Sequence, residues 1–273
     1  MKRLLTYLFL LMLLVSCEEK SDWELQQADN DFIVVDGIIT NELKVQSITI
    51  MKPVTALNGK PEPVNGATVL VSSNLLTHTF HEDPLHQGTY LSDKAFIGIR
   101  NETYSLLITS GNRNYTSKSV LAPPVNQFGF IGYQKDEADN KYRLIKVPFP
   151  YNPLLSARYE LQLDWSAAPG YEQANPDSCK ALIFYYTLPT LDVSELFAPN
   201  LEKVTFPSGT VITERRYSLT AEHAAFLRAL MLETTWQGGY FNTASANLPT
   251  NISTGAMGFF GACGVSEKKE TVK

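Results

Sequence analysis

Cysteine is scarce, three in 273 residues, which excludes a disulfide-dense small fold and any four-cysteine zinc or iron–sulfur site. Histidine numbers only four, so imidazole-based metal or acid–base chemistry has few places to reside. Positive charge is in deficit, 23 Lys plus Arg against 28 Asp plus Glu for a net −5. That balance argues against a phosphate-backbone binder and so against a nucleic-acid partner. Uninterrupted apolar runs fall short of the about 20 residues that a spanning helix needs. The chain contains neither a Gly-x-Ser-x-Gly elbow nor a Gly-x-x-x-x-Gly-Lys phosphate loop, the signatures of serine hydrolases and P-loop enzymes. No catalytic residue and no cofactor can therefore be named, and the expectation is a protein that is not an enzyme. What is present is 44% hydrophobic and 11% aromatic residues with 19% charge, the composition of a folded chain. Its length suits one large domain or two of ordinary size.

The N-terminus carries the most specific motif. Lys2 and Arg3 precede an apolar run, Leu4 to Val15, broken only by Thr6 and Tyr7, and then Ser16-Cys17. A basic start and a short apolar core are a secretory leader, too short to span. Leu14-Val15-Ser16-Cys17 resembles a lipoprotein lipobox, with residues 1–16 removed and Cys17 lipidated as the first mature residue. Each buried methylene of an acyl chain contributes about 0.8 kcal/mol, so several chains on one cysteine hold a protein on a membrane. Losing Lys2 and Arg3 makes the mature chain more acidic still, and the lipid rather than a basic patch does the anchoring. Residues 17–30 open Glu18-Glu19-Lys20-Ser21-Asp22 and stay polar, which makes them a flexible tether. Acidic residues after the lipidated cysteine resemble the surface-export signal of Bacteroidota lipoproteins; a plain soluble linker is the other account.

From Asp31 the pattern is that of strands. Phe32-Ile33-Val34-Val35 is a β-branched run closed by Asp36-Gly37, and Gln46 to Met51 alternates polar with apolar. Ala67 to Val71, Gly88 to Leu91, Thr103 to Ile108 and Tyr115 to Val120 follow, separated by turn formers such as Asn58-Gly59 and Ser110-Gly111-Asn112. The spacing predicts an Ig-like or transthyretin-like β-sandwich over 31–121. Ala122-Pro123-Pro124-Val125 reads as a stiff connector, and 125–266 as a second β-rich domain. Its strands are Gln127 to Tyr133, Tyr142 to Phe149, Tyr159 to Trp165, Ala181 to Leu188 (apolar enough for burial on both faces) and Thr210 to Tyr217. One amphipathic helix is expected over 221–234, capped by Thr220, with Ala224, Leu227, Leu230 and Met231 on one face. The glycines of 255–261 suit strand bends or close backbone approach, and 267–273 is expected to be a solvated tail.

Candidate chemistry is thin. His78, His81 and His86 lie near Glu82 and Asp83, a weak zinc-ligand cluster, but three-residue spacing on a strand puts two of the rings on opposite faces. A solvated hairpin tip is the favoured account, and His223 in the first helical turn is expected exposed and neutral. Trp236-Gln-Gly-Gly-Tyr240-Phe241 follows the helix as a glycine-rich loop that can present rings outward, so Trp236, Tyr240 and Phe241 are the candidate contacts for a ligand or partner.

The lipobox, the strand–Asp36-Gly37 opening, the Val-Asn-Gly-Ala strand, Pro123-Pro124, the late helix and Asn251-Ile-Ser-x-Gly-x-x-Gly-Phe-Phe-Gly together resemble the domain-of-unknown-function family 4249, over essentially the whole mature chain. These are Bacteroidota lipoproteins often encoded beside TonB-dependent outer-membrane receptors. The resemblance lends no catalytic residues. It implies an outer-membrane lipoprotein facing the cell exterior, an accessory or ligand-capture subunit of a TonB-dependent uptake complex, with the receptor as partner and a glycan or peptide nutrient as ligand. A structural or adhesive envelope protein is the alternative from another class, and a surface hydrolase with unidentified residues a third. With Cys17 given to lipid, Cys179 and Cys263 remain, and in an exported protein they can pair. Such a disulfide would contribute about 4 kcal/mol; two separate buried thiols are the competing expectation.

Overall fold

The computed structural model describes residues 32–54, 59–128, 132–137, 139–145, 155–188, 204–234 and 248–273. The leader, Cys17, the tether and the loop bearing Trp236, Tyr240 and Phe241 lie outside them. Among the described residues the fold is mainly β with one α-helix, as the alternation of the sequence implies.

Seven strands come from the first part of the chain: β1 (Ile33–Thr40), β2 (Ser47–Met51), β3 (Thr68–Ser72), β4 (Thr77–Glu82), β5 (Thr89–Ser92), β6 (Thr103–Ser110) and β7 (Arg113–Val120). Alternate residues point to one side: Tyr104, Leu106 and Ile108 of β6, or Val69 and Val71 of β3, are buried while their neighbours are not. The inward set, with Val35, Ile39, Ile48, Ile50, Phe80, Tyr90 and Tyr115, makes the main hydrophobic core. Each such side chain, fully buried, contributes about 1.5–3 kcal/mol.

This sheet is completed from the far end of the chain. β14 (Ala256–Cys263) lies parallel to β1, Ile33 opposite Ala256 through Thr40 opposite Cys263, giving the order β14-β1-β2-β5-β4-β3-β6-β7. The sheet curls until its two end strands meet: Ser117 bridges Ile252, Ala122 bridges Cys263, and Gly264 N–H donates to the Ala122 carbonyl at 2.8 Å. Joining the ends satisfies backbone groups that would otherwise be open edges. Eight strands thus form one rolled hydrogen-bonded sheet, and its eighth strand comes from outside 31–121. The proline pair is not a free connector either. A Cβ on Gly264 would stand 2.2 Å from Pro124 N, so only glycine lets the two segments touch. Gly258 is a second such position, with φ +90° and a Cβ site 2.0 Å from the Val35 carbonyl oxygen. The expectation of close approach by these glycines is met there.

The rest of the chain builds two smaller sheets. β10 (Ala157–Asp164), β11 (Lys180–Thr187), β13 (Val211–Ser218) and β15 (Val265–Thr271) form one in the order β11-β10-β13-β15; β8 (Gly132–Asp136), β9 (Lys141–Ile145) and β12 (Thr205–Phe206) form the other. They enclose a second core of Leu161, Leu163, Ile183, Phe206, Ile212 and Val272. Helix α1 (Ala221–Glu233) starts where Thr220 Oγ1 accepts from His223 N–H. It buries Ala224 and Leu227 against Leu188 and Tyr186, and stacks Phe226 on Phe259 of β14.

Four expectations are corrected. Asp36-Gly37 does not end a strand; β1 continues to Thr40, because β2 and β14 pair it on both sides. Residues 267–273 are not a solvated tail: β15 pairs with β13 from Tyr217–Val265 to Val211–Thr271, and Val272 is buried. Their alternating charges mark a strand with one wet face. β11 is an edge strand with Leu182 and Phe184 exposed, so it is not buried on both faces. His223 is buried rather than exposed.

Candidate functional site between the sheets

Antiparallel register collects a set of charged and aromatic side chains on one face of the second sheet. Arg158 lies opposite both Tyr186 and Tyr217, and Glu160 opposite both Phe184 and Arg215. With a side-chain period of two, all six share that face, the face turned toward the β1–β2 loop and β14.

Charge there is unevenly satisfied. Glu160, buried, accepts from Tyr217 Oη at 3.2 Å, Arg215 Nη1 at 3.4 Å and Gln162 Nε2 at 2.5 Å. Arg215 also donates from Nη2 to Glu42 Oε1 of the β1–β2 loop at 2.5 Å, tying the two sheets together. Burial pushes the Glu42 carboxyl up, but hydrogen bonds and charge from Lys44 and Arg215 outweigh it and hold it below the usual value. Burial carries the Tyr217 phenol up to about 12 despite the opposing Arg215 charge.

Arg158 is different. Its guanidinium carbon stands 4.8 Å from the Phe184 ring centre and 5.2 Å from that of Tyr217, cation–π distances. Among the described residues the one carboxylate it pairs with is Glu160, at 3.7 Å from Nη2, and its buried Nε has no hydrogen-bond partner there. Asp36 projects from the outer face of β1 toward the same junction. Ile38, its same-face neighbour on β1, packs with Tyr217 and Cys263. Crowding by the surrounding protein pushes the Asp36 carboxyl up, and the Arg158 charge draws it partly back, while the residue keeps a solvent-exposed surface.

A second polar cluster lies on the opposite, inner face. Glu214 is fully buried; its Oε1 accepts from the Tyr185 hydroxyl and its Oε2 has no partner. Tyr185 stacks on Tyr159 at 4.3 Å. Arg216, 1% exposed, donates to Tyr159 Oη, Ser218 Oγ and the Leu155 carbonyl. Burial pushes both the Glu214 carboxyl and the Tyr185 phenol up.

The residues singled out from sequence are not brought together. His78 and His81 sit within β4 rather than at a hairpin tip. His78 stacks on Phe96 at 3.8 Å, with Asp93 at 3.9 Å, and His81 points to the other side, as strand spacing requires. His86 pairs with Asp83 at 2.8 Å in the turn after β4. Among the described residues no three His, Cys, Asp or Glu side chains converge as metal ligands.

Cys179 and Cys263 are both buried free thiols, not a disulfide. Cys179 adjoins the end of β10, its carbonyl accepting from Trp165 N–H, whereas Gly264, next to Cys263, accepts from Ser218, opposite Ala157 at the start of β10. Seven residues of strand, about 23 Å, separate these ends, and a disulfide requires Cα atoms within about 7 Å. Cys263 Sγ instead lies 3.6 Å from His223 Nδ1, whose ring stacks on Phe259 at 4.6 Å. Burial holds His223 down to about 4 and raises the thiol to about 12. Neither ionises at neutral pH, so the pair is packing and not a thiolate–imidazolium nucleophile.

Sequence reasoning missed Arg158, Asp36 and Glu160. The available signal was charge at alternate positions of otherwise apolar strands, Arg158 and Glu160 beside Tyr159 and Leu161, and Asp36 inside Ile33–Thr40.

These features define a β-rich chain with a rolled eight-stranded sheet and a polar–aromatic junction against a second sheet. The family model described as Domain of unknown function (DUF4249) matches residues 18–269, and the chain belongs to that family. No curated protein and no solved structure matches it.

Proposed function

We propose that the protein is an outer-membrane lipoprotein facing the cell exterior, anchored through Cys17, and that it works without catalysis as a ligand-capturing accessory of a TonB-dependent uptake complex. The observation that carries the proposal is the leader: Lys2-Arg3, a short apolar run, and Leu14-Val15-Ser16-Cys17 followed by a polar tether. Family membership over 18–269 supports the same assignment through the resemblance described above.

The fold supplies a surface suited to a receptor. The chain enters β1 at one end of the rolled sheet, and the β1–β2, β3–β4 and β5–β6 loops gather at the other, as the strand registers require. That far end exposes Leu43, Val45, Leu75, Leu76, Ile97 and Ile99. An exposed apolar cluster of this kind is where a partner docks.

The test is affinity purification of the tagged chain from solubilised outer membranes. A TonB-dependent receptor should co-purify, and Leu75→Asp with Leu76→Asp should release it. Recovery of the lipoprotein alone would contradict the uptake role and favour a structural or adhesive one.

A further inference from the structure

We propose that Arg158 and Asp36 are the two poles of a binding site for a small zwitterion, an amino acid or short peptide with free termini, whose apolar side chain lies against Phe184 and Tyr186. The inference deepens the capture role proposed above and rests on it.

Two opposite charges that make no hydrogen bond among the described residues are the starting observation. A guanidinium offers five N–H donors, yet Arg158 makes no hydrogen bond among the described residues, its buried Nε included. Its ion pair with Glu160 is long, at 3.7 Å, and Glu160 is already engaged by Tyr217, Arg215 and Gln162. The neighbouring Arg215, by contrast, is shared between Glu42 and Glu160. Asp36 likewise has neither hydrogen bond nor ion pair among the described residues, and it is exposed.

Geometry places the two together. Ile38 packs against the cluster of Tyr217, Cys263 and Val265, Arg158 sits over the Tyr217 ring, and Asp36 is the next outward residue on β1, about 7 Å from Ile38 along the strand. The rings flanking Arg158 constrain its guanidinium, and with Glu160 held off at 3.7 Å from Nη2 and Nε unpartnered it retains donors for a carboxylate, which a guanidinium can receive through two parallel bonds. Asp36 supplies the acceptor that an ammonium group needs. On the β11 side of Arg158, away from Tyr217, Phe184, 37% exposed on the edge strand, offers an apolar surface.

The test titrates the purified full-length protein in detergent with Gly-Phe, N-acetyl-Gly-Phe, Gly-Phe amide and free phenylalanine by isothermal calorimetry. Gly-Phe or phenylalanine should saturate the protein, the two distinguishing peptide from amino acid, and each blocked dipeptide should bind about tenfold or more weakly than Gly-Phe. Arg158→Gln should weaken Gly-Phe and N-acetyl-Gly-Phe by similar factors, with Arg158→Lys recovering part of the loss. Asp36→Asn should weaken Gly-Phe while leaving N-acetyl-Gly-Phe unchanged, a split that misfolding cannot produce. Equal binding of free and blocked probes, or no saturation by any of them, overturns the assignment. Because receptor co-purification is scored separately, a receptor that co-purifies with a protein binding no zwitterion rejects this site alone.

Discussion

Glu214 offers a quantitative test of the second sheet. Its carboxyl is fully buried, with one oxygen held by the Tyr185 hydroxyl and the other unpartnered. Burial raises its pKa from the ordinary 4.5, the Tyr185 hydrogen bond and the Lys268 charge pull it down, and Glu270 pushes it up; the net shift is upward. The folded chain therefore binds this proton more tightly than the unfolded chain. The resulting stability is fully present below pH 4.5, falls as pH rises toward the folded pKa, and is gone above it. Between the two values the loss runs at about 1.4 kcal/mol per pH unit for one proton. An orphaned buried polar group costs a further about 1–3 kcal/mol. Glu214→Gln keeps an acceptor for Tyr185 and removes the charge, so this component disappears. Urea unfolding from about pH 4 to about pH 8 should show the variant gaining on the parent as pH rises. A stability difference that is constant, or that shrinks with pH, would refute the reasoning.

Four further outcomes follow from the fold. Gly258→Ala places a Cβ 2.0 Å from the Val35 carbonyl oxygen at φ +90°; it should cost at least about 2 kcal/mol in denaturant unfolding, whereas Gly111→Ala, with open space around its Cβ site, should cost less. Leu106→Ala, deep in the main core, should lose about 2–5 kcal/mol in the same assay. Thiol titration of the denatured, unreduced mature protein should find two free thiols, Cys179 and Cys263, and none would mean that they pair. Deleting 266–273 removes β15 and uncovers Ile212, so the truncated chain should lose cooperative unfolding, which a merely solvated tail would leave intact.

Strands with strict alternation were legible from sequence. Thr103 to Ile108 and Tyr159 to Trp165 declare an inward and an outward face, and α1 declares itself through Thr220 and the spacing of Ala224, Leu227 and Met231. What the sequence concealed was long-range pairing. Nothing near Ile33 announces a parallel partner at Ala256, because that contact depends on Gly258 admitting the Val35 backbone at close range. β15 was hidden by its own composition, since Ser-Glu-Lys-Lys-Glu-Thr is polar enough to pass for a solvated end until β13 is seen beside it. The junction was illegible for the same reason: Asp36 and Arg158 are far apart in the chain, and the charge of one reaches the other only through the packing of β1 and the second sheet. The histidine cluster shows the converse. Proximity in sequence suggested a site, and the two-residue period of β4 separated the rings.

Location, tether and receptor all depend on Cys17, so the intact mass of the chain extracted from membranes is the most direct measurement. The account predicts a mature protein that begins at Cys17, lacks residues 1–16 and carries acyl chains, with both processing and acylation lost in Cys17→Ser. A chain that retains Met1, or one cleaved elsewhere with Cys17 unmodified, would contradict it.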